Sequence, residues 1–296
     1  MLLGNQITFR QINYFLAVAE ELHFRKAAER LFISQPGLSR QIKQMEVDLG
    51  IILFERHNRK VVLTKSGKYL QKELVKNLKS LDQIFEHTKM LHDGVGGALK
   101  FGYVGSAIQE IIPDLLLRFR EEHPGVVFSL KEMDNERQIE DLLGHDLDMG
   151  FVRLERVPRG LELKPILKEN FCLVLPKDHE ITSANFQNIF QLKDEPFILF
   201  DQAYSASYYE KVMQIFDDSG FSPIVSHNTI HASSIYKLVE NNFGISIVPK
   251  SLQVEDHRGV KFIELTDILQ KTVLSVVWSK ENRNPTLHTI LKLLAL

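Results

Sequence analysis

The chain has 296 residues, 44% hydrophobic and 25% charged, which suits an ordinary globular protein with room for more than one domain. Its one cysteine, Cys172, excludes an internal disulfide framework. No apolar stretch approaches a membrane span, and residues 1–10 lack the basic start and apolar run of a secretion signal, so a cytoplasmic chain with no membrane partner is expected.

The net charge of −2 divides unevenly. Residues 1–65 carry ten Lys and Arg against six Asp and Glu, a balance of +4, while the remainder carries 26 against 32, a balance of −6. A basic segment on an acidic body is the electrostatic layout of a nucleic-acid reader joined to something else.

Residues 10–22 read as a helix, because Ile12, Phe15, Leu16 and Ala19 form an apolar stripe at helical spacing. A short helix follows over 25–31, with Ala27 and Ala28 at its centre, small enough to admit a second helix closely. Ser34 or Gln35 then stands where an N-cap belongs, and Pro36 falls in the first turn, where its missing N–H costs nothing. The third helix runs to about Leu49, with Gly50 placed to end it. Its apolar residues Leu38, Ile42, Met45 and Leu49 share one face, whereas Ser39, Arg40, Lys43 and Gln44 fall on others. Those polar groups can read base edges and hold phosphates, although an amphipathic surface helix taken alone would show the same division. Residues 51–56 and 61–64 are β-rich and enclose the basic turn 57–60, a wing from which Arg56, Arg59 and Lys60 would face phosphates or a minor groove. The order of these parts points to a winged helix-turn-helix over 1–65 with double-stranded DNA as its partner.

These residues also carry a family resemblance. The stretch from Phe24 to Leu31, the Ile-Ser-Gln-Pro turn ending at Pro36, Leu38-Ser-Arg-Gln-Ile42, Leu53-Phe-Glu-Arg56 and Leu63-Thr-Lys-Ser-Gly67 resemble, in order, the LysR-type regulators over about residues 9–67. The resemblance implies that Gln35, Pro36, Ser39 and Arg40 contact DNA from the recognition helix and Arg56 from the wing. Lys43, Arg59 and Lys60 join them as neighbouring donors to phosphate. Gly37 departs from the family, which more often has Ala or Ser there. A glycine near a helix start costs under about 1 kcal/mol relative to alanine, so DNA binding is expected to survive.

From Ser66 to about Leu91 no Pro occurs, and no Gly after Gly67. Leu70, Leu74, Asn77, Leu81, Ile84, Thr88 and Leu91 alternate steps of four and three, a heptad seam that Leu78 and Phe85 widen. A domain of about 65 residues is too small to cover such a stripe, so this linker helix (66–92) is expected to pair with a second copy through Leu70, Leu74, Leu81 and Ile84. The resemblance implies the same: a homodimer or dimer of dimers on interrupted dyad sites, half-sites about one helical turn or a multiple apart, with RNA polymerase as a further partner. Asp93-Gly-Val-Gly-Gly97 supplies a hinge.

Beyond it, strand candidates at 99–104, 126–130, 148–152, 171–175, 197–200, 245–248 and 273–278 alternate with helix candidates at 108–121, 137–143, 206–218, 233–241 and 285–296. That alternation indicates an α/β domain with mostly parallel sheets. Ligands of such sheets bind beyond the carboxyl ends of strands, where Gly105-Ser106-Ala107 falls. Residues 101–106, 111–120, 124–126 and 147–153 are similar to the LysR effector domain, which implies two α/β lobes of the periplasmic-binding-protein type with a small-molecule effector between them. The implied lobes are 98–168 with 271–296, and 169–270. Ser106, Asn135, Arg153, Phe200 and His231 become the candidate effector contacts. Arg153 ends an otherwise apolar strand, so the residues alone allow a ligand-facing cation or an exposed strand-end charge. By resemblance it is like the arginine that some regulators of aromatic-compound catabolism use near a carboxylate, which implies a small organic anion as effector. His231 lies where those regulators often carry an acidic group.

His227 and His231 are four apart but straddle a strand-to-helix junction with no third ligand nearby, so no metal is expected. Cys172 sits in an apolar run and reads as a small hydrophobe. Tyr204, Tyr208 and Tyr209 precede or begin a helix, where cleft lining and half-exposed packing both fit. No nucleophile elbow, phosphate loop, dinucleotide fingerprint or His-Glu-x-x-His motif occurs, so neither catalytic residues nor a cofactor is expected.

Overall fold

The structure, a computed structural model, describes residues 7–57, 60–92, 96–109, 111–254 and 257–294. It divides into two units, Met1–Glu86 and His87–Leu296.

In the first unit, helix α1 (Phe9–Glu21) opens on a capping box: Thr8 Oγ1 accepts from the Gln11 amide at 3.2 Å, and Gln11 Oε1 accepts from the Thr8 amide at 2.9 Å. Helix α2 (Phe24–Arg30) buries Ala27 and Ala28 almost completely, which lets its neighbours approach. Helix α3 (Gln35–Leu49) is capped by Ser34, carries Pro36 in its first turn and ends at Gly50 with φ +67, a left-handed position that suits glycine. Strands β1 (Phe54–His57) and β2 (Lys60–Leu63) pair antiparallel with Phe54 opposite Leu63. Phe54 is buried, its ring 5.5 Å from that of Phe15, so the wing is anchored in the same core as Leu38, Ile42 and Met45. Helix α4 (Lys65–His92) follows after one residue. A Cβ on Gly67 would stand 2.3 Å from the Leu53 carbonyl oxygen, so only glycine lets this helix start against the wing.

The second unit holds two α/β lobes. The first lobe contains β3 (Gly97–Tyr103), α5 (Ile111–Glu122), β4 (Val126–Glu132), α6 (Asn135–Leu143), β5 (Met149–Val152) and β6 (Leu161–Glu169). The chain then crosses to β7 (Phe171–Pro176), β8 (Pro196–Phe200), α7 (Ala206–Asp218), β9 (Ile224–Thr229), α8 (Ala232–Glu240), β10 (Ser246–Pro249) and β11 (Val260–Leu265). It returns through β12 (Thr272–Ser279) to α9 (Pro285–Leu293). The first sheet has the order β4-β3-β5-β12-β6. In the second lobe β10-β7-β11 forms one sheet and β8-β9 another, joined by a bridge between Phe197 and Ile245. Each lobe is built around its own apolar cluster, one centred on Phe101, Phe119 and Phe151, the other on Phe171, Phe197 and Phe216.

The expected mostly parallel sheets are corrected here. β3 runs parallel to β4 and β5, and β8 to β9, but β12 is antiparallel to β5 and β6, and β7 to both β10 and β11. The reason is the double crossing: one strand leaves the first lobe and another returns beside it, in the opposite direction. Thr272 is thereby placed opposite Glu169. β6, β9 and β11 were not anticipated from sequence. β6 alternates charged with apolar residues around Pro165, and β9 is exposed along nearly all its length, so neither shows a buried-strand run. The first helix of this unit begins at Ile111, since residues 105–109 form turns instead.

Among the described residues no helix is long and apolar enough to cross a membrane.

Candidate functional site

The polar face of α3 is built from its first two turns. Ser34 Oγ accepts from the Gly37 amide at 3.3 Å, fixing the helix start. Gln35, Pro36, Arg40 and Lys43 are exposed, and Ser39 is half-buried beside them. Leu38, Ile42 and Met45 are buried on the opposite face. Glu46, one turn beyond, reaches the wing: its Oε1 accepts from the amides of Leu53 at 2.8 Å and Phe54 at 3.1 Å. Recognition helix and wing are thus tied by a side chain as well as by the core. Arg56 lies on β1 opposite Val61, and Lys60 on β2 opposite His57. Arg59 lies outside the described residues. The Glu46 clamp had no sequence signal beyond an acid on the recognition helix.

On α4 the four expected pairing residues divide. Leu70 and Leu74, with Leu78, are half-buried against the core of their own domain. Leu81 is half-buried too, whereas Ile84 and its neighbour Phe85 are exposed. A heptad seam read from sequence does not say which of its turns a domain's own core has already covered.

A cavity of about 180 Å³ lies between the two lobes of the second unit. From the first lobe it takes the turn after β3, including Gly105 and Ser106, Glu132 at the end of β4, and Arg153 just after β5. From the second it takes Phe200, Tyr204 and Tyr208 around the start of α7, and His231, Ala232 and Ser233 at the start of α8. Four of the five candidate effector contacts therefore meet in one place. Asn135 does not reach the wall. It is buried at the seam behind it, where Oδ1 accepts from the Arg153 amide at 3.0 Å and Nδ2 donates to Ser205 Oγ at 3.2 Å.

Arg153 is neither an exposed charge nor a cation held open for a ligand. It is 5% exposed, and its guanidinium is engaged by protein on every side. Nε donates to Ser106 Oγ at 2.9 Å, Nη1 to Thr272 Oγ1 at 2.8 Å, and Nη2 to Glu169 Oε1 at 2.6 Å and Ser251 Oγ at 3.0 Å. Glu169, also buried, accepts in addition from the amide and hydroxyl of Ser251. Burial pulls the Arg153 pKa down and the Glu169 carboxylate pushes it back up. A guanidinium stays charged under such opposing influences, so the two form a buried, neutral ion pair. Glu169, Thr272 and Ser251 were missed in the sequence. An acid closing a crossover strand was the one available signal, and it shows only once the strand is known.

One consequence concerns Ser106. Its oxygen accepts from Arg153 Nε, which leaves its own O–H to donate elsewhere. His231 precedes α8 as N-cap but makes no side-chain capping bond. The first amides of that helix, at Ala232 and Ser233, carry the partial positive charge of a helix start. His231 Nδ1 is 3.7 Å from Glu132 Oε1 across the cleft. The Gly105 amide donates to the Tyr204 hydroxyl at 3.3 Å, also across the cleft. Burial pushes the Tyr204 phenol up to about 12, with Glu132 adding to the rise, and raises Tyr208 further still. Both hydroxyls are therefore neutral donors at physiological pH. Tyr209 packs half-buried against the second-lobe core instead.

Residues 9–68 match the family described as bacterial regulatory helix-turn-helix protein, lysR family, and residues 92–295 match the LysR substrate binding domain. The chain is 32% identical to the uncharacterized HTH-type transcriptional regulator YnfL of Escherichia coli (strain K12), over 93% of each chain. It is 32% identical to the HTH-type transcriptional regulator AlsR of Bacillus subtilis (strain 168), over 93% of this chain and 91% of that one. Its fold is similar to that of full-length CbnR crystallised with its target DNA, with a TM-score of 0.68, 27% identity, and coverage of 98% of this chain and 99% of the other. With a helix-turn-helix and a substrate-binding domain matched in sequence order, the chain belongs to the LysR family of DNA-binding transcriptional regulators.

Proposed function

We propose that this regulator acts in the cytoplasm as a homodimer or dimer of dimers on an interrupted dyad operator, under the control of a small organic acid held between its lobes, with RNA polymerase as the partner it meets at the promoter. Gln35, Pro36, Ser39, Arg40 and Lys43 read and hold one half-site from α3, and Arg56, Arg59 and Lys60 hold the flanking backbone from the wing. The exposed part of the α4 seam, at Ile84 and Phe85, supplies apolar surface for a second copy.

The observation that carries the effector reading is the donor set facing the cavity: the Ser106 hydroxyl, turned outward by Arg153, and the uncapped start of α8. Together they suit a carboxylate. Arg153 supports the site by orienting Ser106, not by offering its charge. A cavity of about 150 Å³ accommodates benzene, so about 180 Å³ suits one small molecule. Because the wall is shared by both lobes, a bound effector changes the free energy of the lobes' closure and, through it, of the dimer's placement on DNA.

The test is to select from random DNA the sequences bound by the purified full-length protein, then titrate small carboxylates into the complex. An interrupted dyad is expected, with a footprint that changes on adding at least one carboxylate. A single undivided half-site rejects the dimeric reading, and indifference to all carboxylates rejects the effector class.

A further inference from the structure

The cavity is not a plain anion receptor, because a carboxylate lies on its wall. Arg153 is matched at 2.6 Å by Glu169, so that pair contributes no net charge. The Glu132 carboxylate remains on the wall. A bare organic anion would therefore enter beside a carboxylate, with a hydroxyl and a helix start in its favour.

The position of Glu132 resolves this. A Cβ built on Gly105 would lie 2.8 Å from Glu132 Oε1, which places the carboxylate beside the Gly105–Ser106 turn. The same oxygen is 3.7 Å from His231 Nδ1, which places it beside the start of α8. An acceptor of full charge thus sits between the two donor segments, within a few ångströms of each. A ligand that satisfies all three carries an ammonium and a carboxylate about that close together, as on a single carbon atom. The Tyr204 hydroxyl lies against Glu132 and the Phe200 ring is 6.4 Å from that of Tyr204, so a cation held there also meets aromatic surface. Val104, Ile108, Ile230 and Leu252 give the wall most of its remaining surface as apolar side chains, with Gln109 and Ser205 among them.

We infer that the cavity takes a small α-amino acid with an apolar side chain, its ammonium group on Glu132 and its carboxylate on Ser106 and the start of α8. This rests on the carboxylate reading of the same cavity and narrows it to a zwitterion. Glu132, the one carboxylate facing the ligand among the described residues, is then the specificity element: it disfavours simple carboxylates and rewards the amino group.

Matched compounds test it on the full-length protein by calorimetry. L-Leucine is compared with 4-methylpentanoate and 3-methylbutylamine, and L-phenylalanine with 3-phenylpropanoate and 2-phenylethylamine. At least one amino acid is expected to bind about tenfold or more tightly than both of its truncated partners, each ten-fold step being about 1.4 kcal/mol. Glu132→Gln is expected to erase that preference while leaving the desamino acid able to bind. If desamino acids bind as well as or better than amino acids, the zwitterion is wrong and the carboxylate site stands. If nothing bearing a carboxylate binds, both readings fall. The comparison within the unaltered protein does not depend on how the variant folds.

Discussion

Arg153 and Glu169, sixteen positions apart in sequence, form a 2.6 Å ion pair that is almost entirely out of solvent, at the point where the two lobes are joined. Arg153 directly follows β5, Glu169 ends β6 where the chain leaves the first lobe, Thr272 begins β12 where it returns, and Ser251 reaches in from the second lobe. The network fixes the hinge from all of its sides. Removing one partner leaves the other charged and desolvated, which costs about 3–5 kcal/mol, whereas replacing both by apolar residues of similar size is often neutral. Glu169→Leu and Arg153→Met are each expected to destabilise the second unit by an amount in that range, and the two together by clearly less than the sum. Urea unfolding of the three variants decides it. Additive losses would mean that the two side chains act independently.

The Glu46 clamp makes a separate prediction in the first unit. Leu53 and Phe54 are buried, and both their amides donate to one Glu46 oxygen. Glu46→Ala strands two buried N–H groups and is expected to cost about 2–3 kcal/mol, in the range of hydrogen bonds to a charged acceptor. Glu46→Gln keeps an oxygen in place and should lose less. Because the clamp sets the wing against the recognition helix, Glu46→Ala should also weaken operator binding. A variant that melts early yet binds DNA normally would separate the clamp from function.

Arg40 and Lys60 are expected to fail in different ways. Arg40 is exposed on the polar face of α3, so Arg40→Ala should cost about 1–3 kcal/mol on the operator and relax the preference at one base pair. Lys60 belongs to the wing, and Lys60→Ala should weaken all sequences alike and reduce the salt slope of binding by about one. Anisotropy titrations at several salt concentrations, on operator and scrambled DNA, distinguish the two. Equal losses on both DNAs for Arg40→Ala would remove it from base reading.

These predictions differ in how much of their basis could be read in the sequence. The helix-turn-helix was legible because its signals are local: Ser34 and Pro36 start the recognition helix, Gly50 ends it, and its apolar residues repeat within four positions. The cavity was legible only in pieces. Ser106, Phe200 and His231 stand at strand ends or helix starts, where a ligand site is expected, and the structure brings them together. The polarity of the site was not legible. Whether Arg153 offers its charge depends on Glu169, and no local pattern shows that an acid on an alternating crossover strand turns inward. Asn135 belongs to the same class, since a side chain near the cleft can face its seam rather than its interior. On α4 the heptad pattern was real, but Leu70 and Leu74 serve their own domain's core, a competition that periodicity cannot resolve.

Alkaline pH tests the burial of the second lobe. Burial pushes the Cys172 thiol from its ordinary 9.0 up to about 12, and the Tyr204 phenol from 10.0 to about 12. Below pH 9 both groups are protonated whether the chain is folded or not, so they add no pH dependence. Between about 9 and 12 the unfolded chain loses these protons while the folded one keeps them. Fewer protons bound in the unfolded state means that stability falls as pH rises. The melting temperature should therefore decline from about pH 9 upward, and Cys172→Val should flatten the first part of that decline. The same burial predicts that iodoacetamide leaves Cys172 unmodified in the native protein at pH 8 and alkylates it once the chain is unfolded in urea. Rapid native alkylation would show that the strand carrying Cys172 opens far more readily than its packing implies.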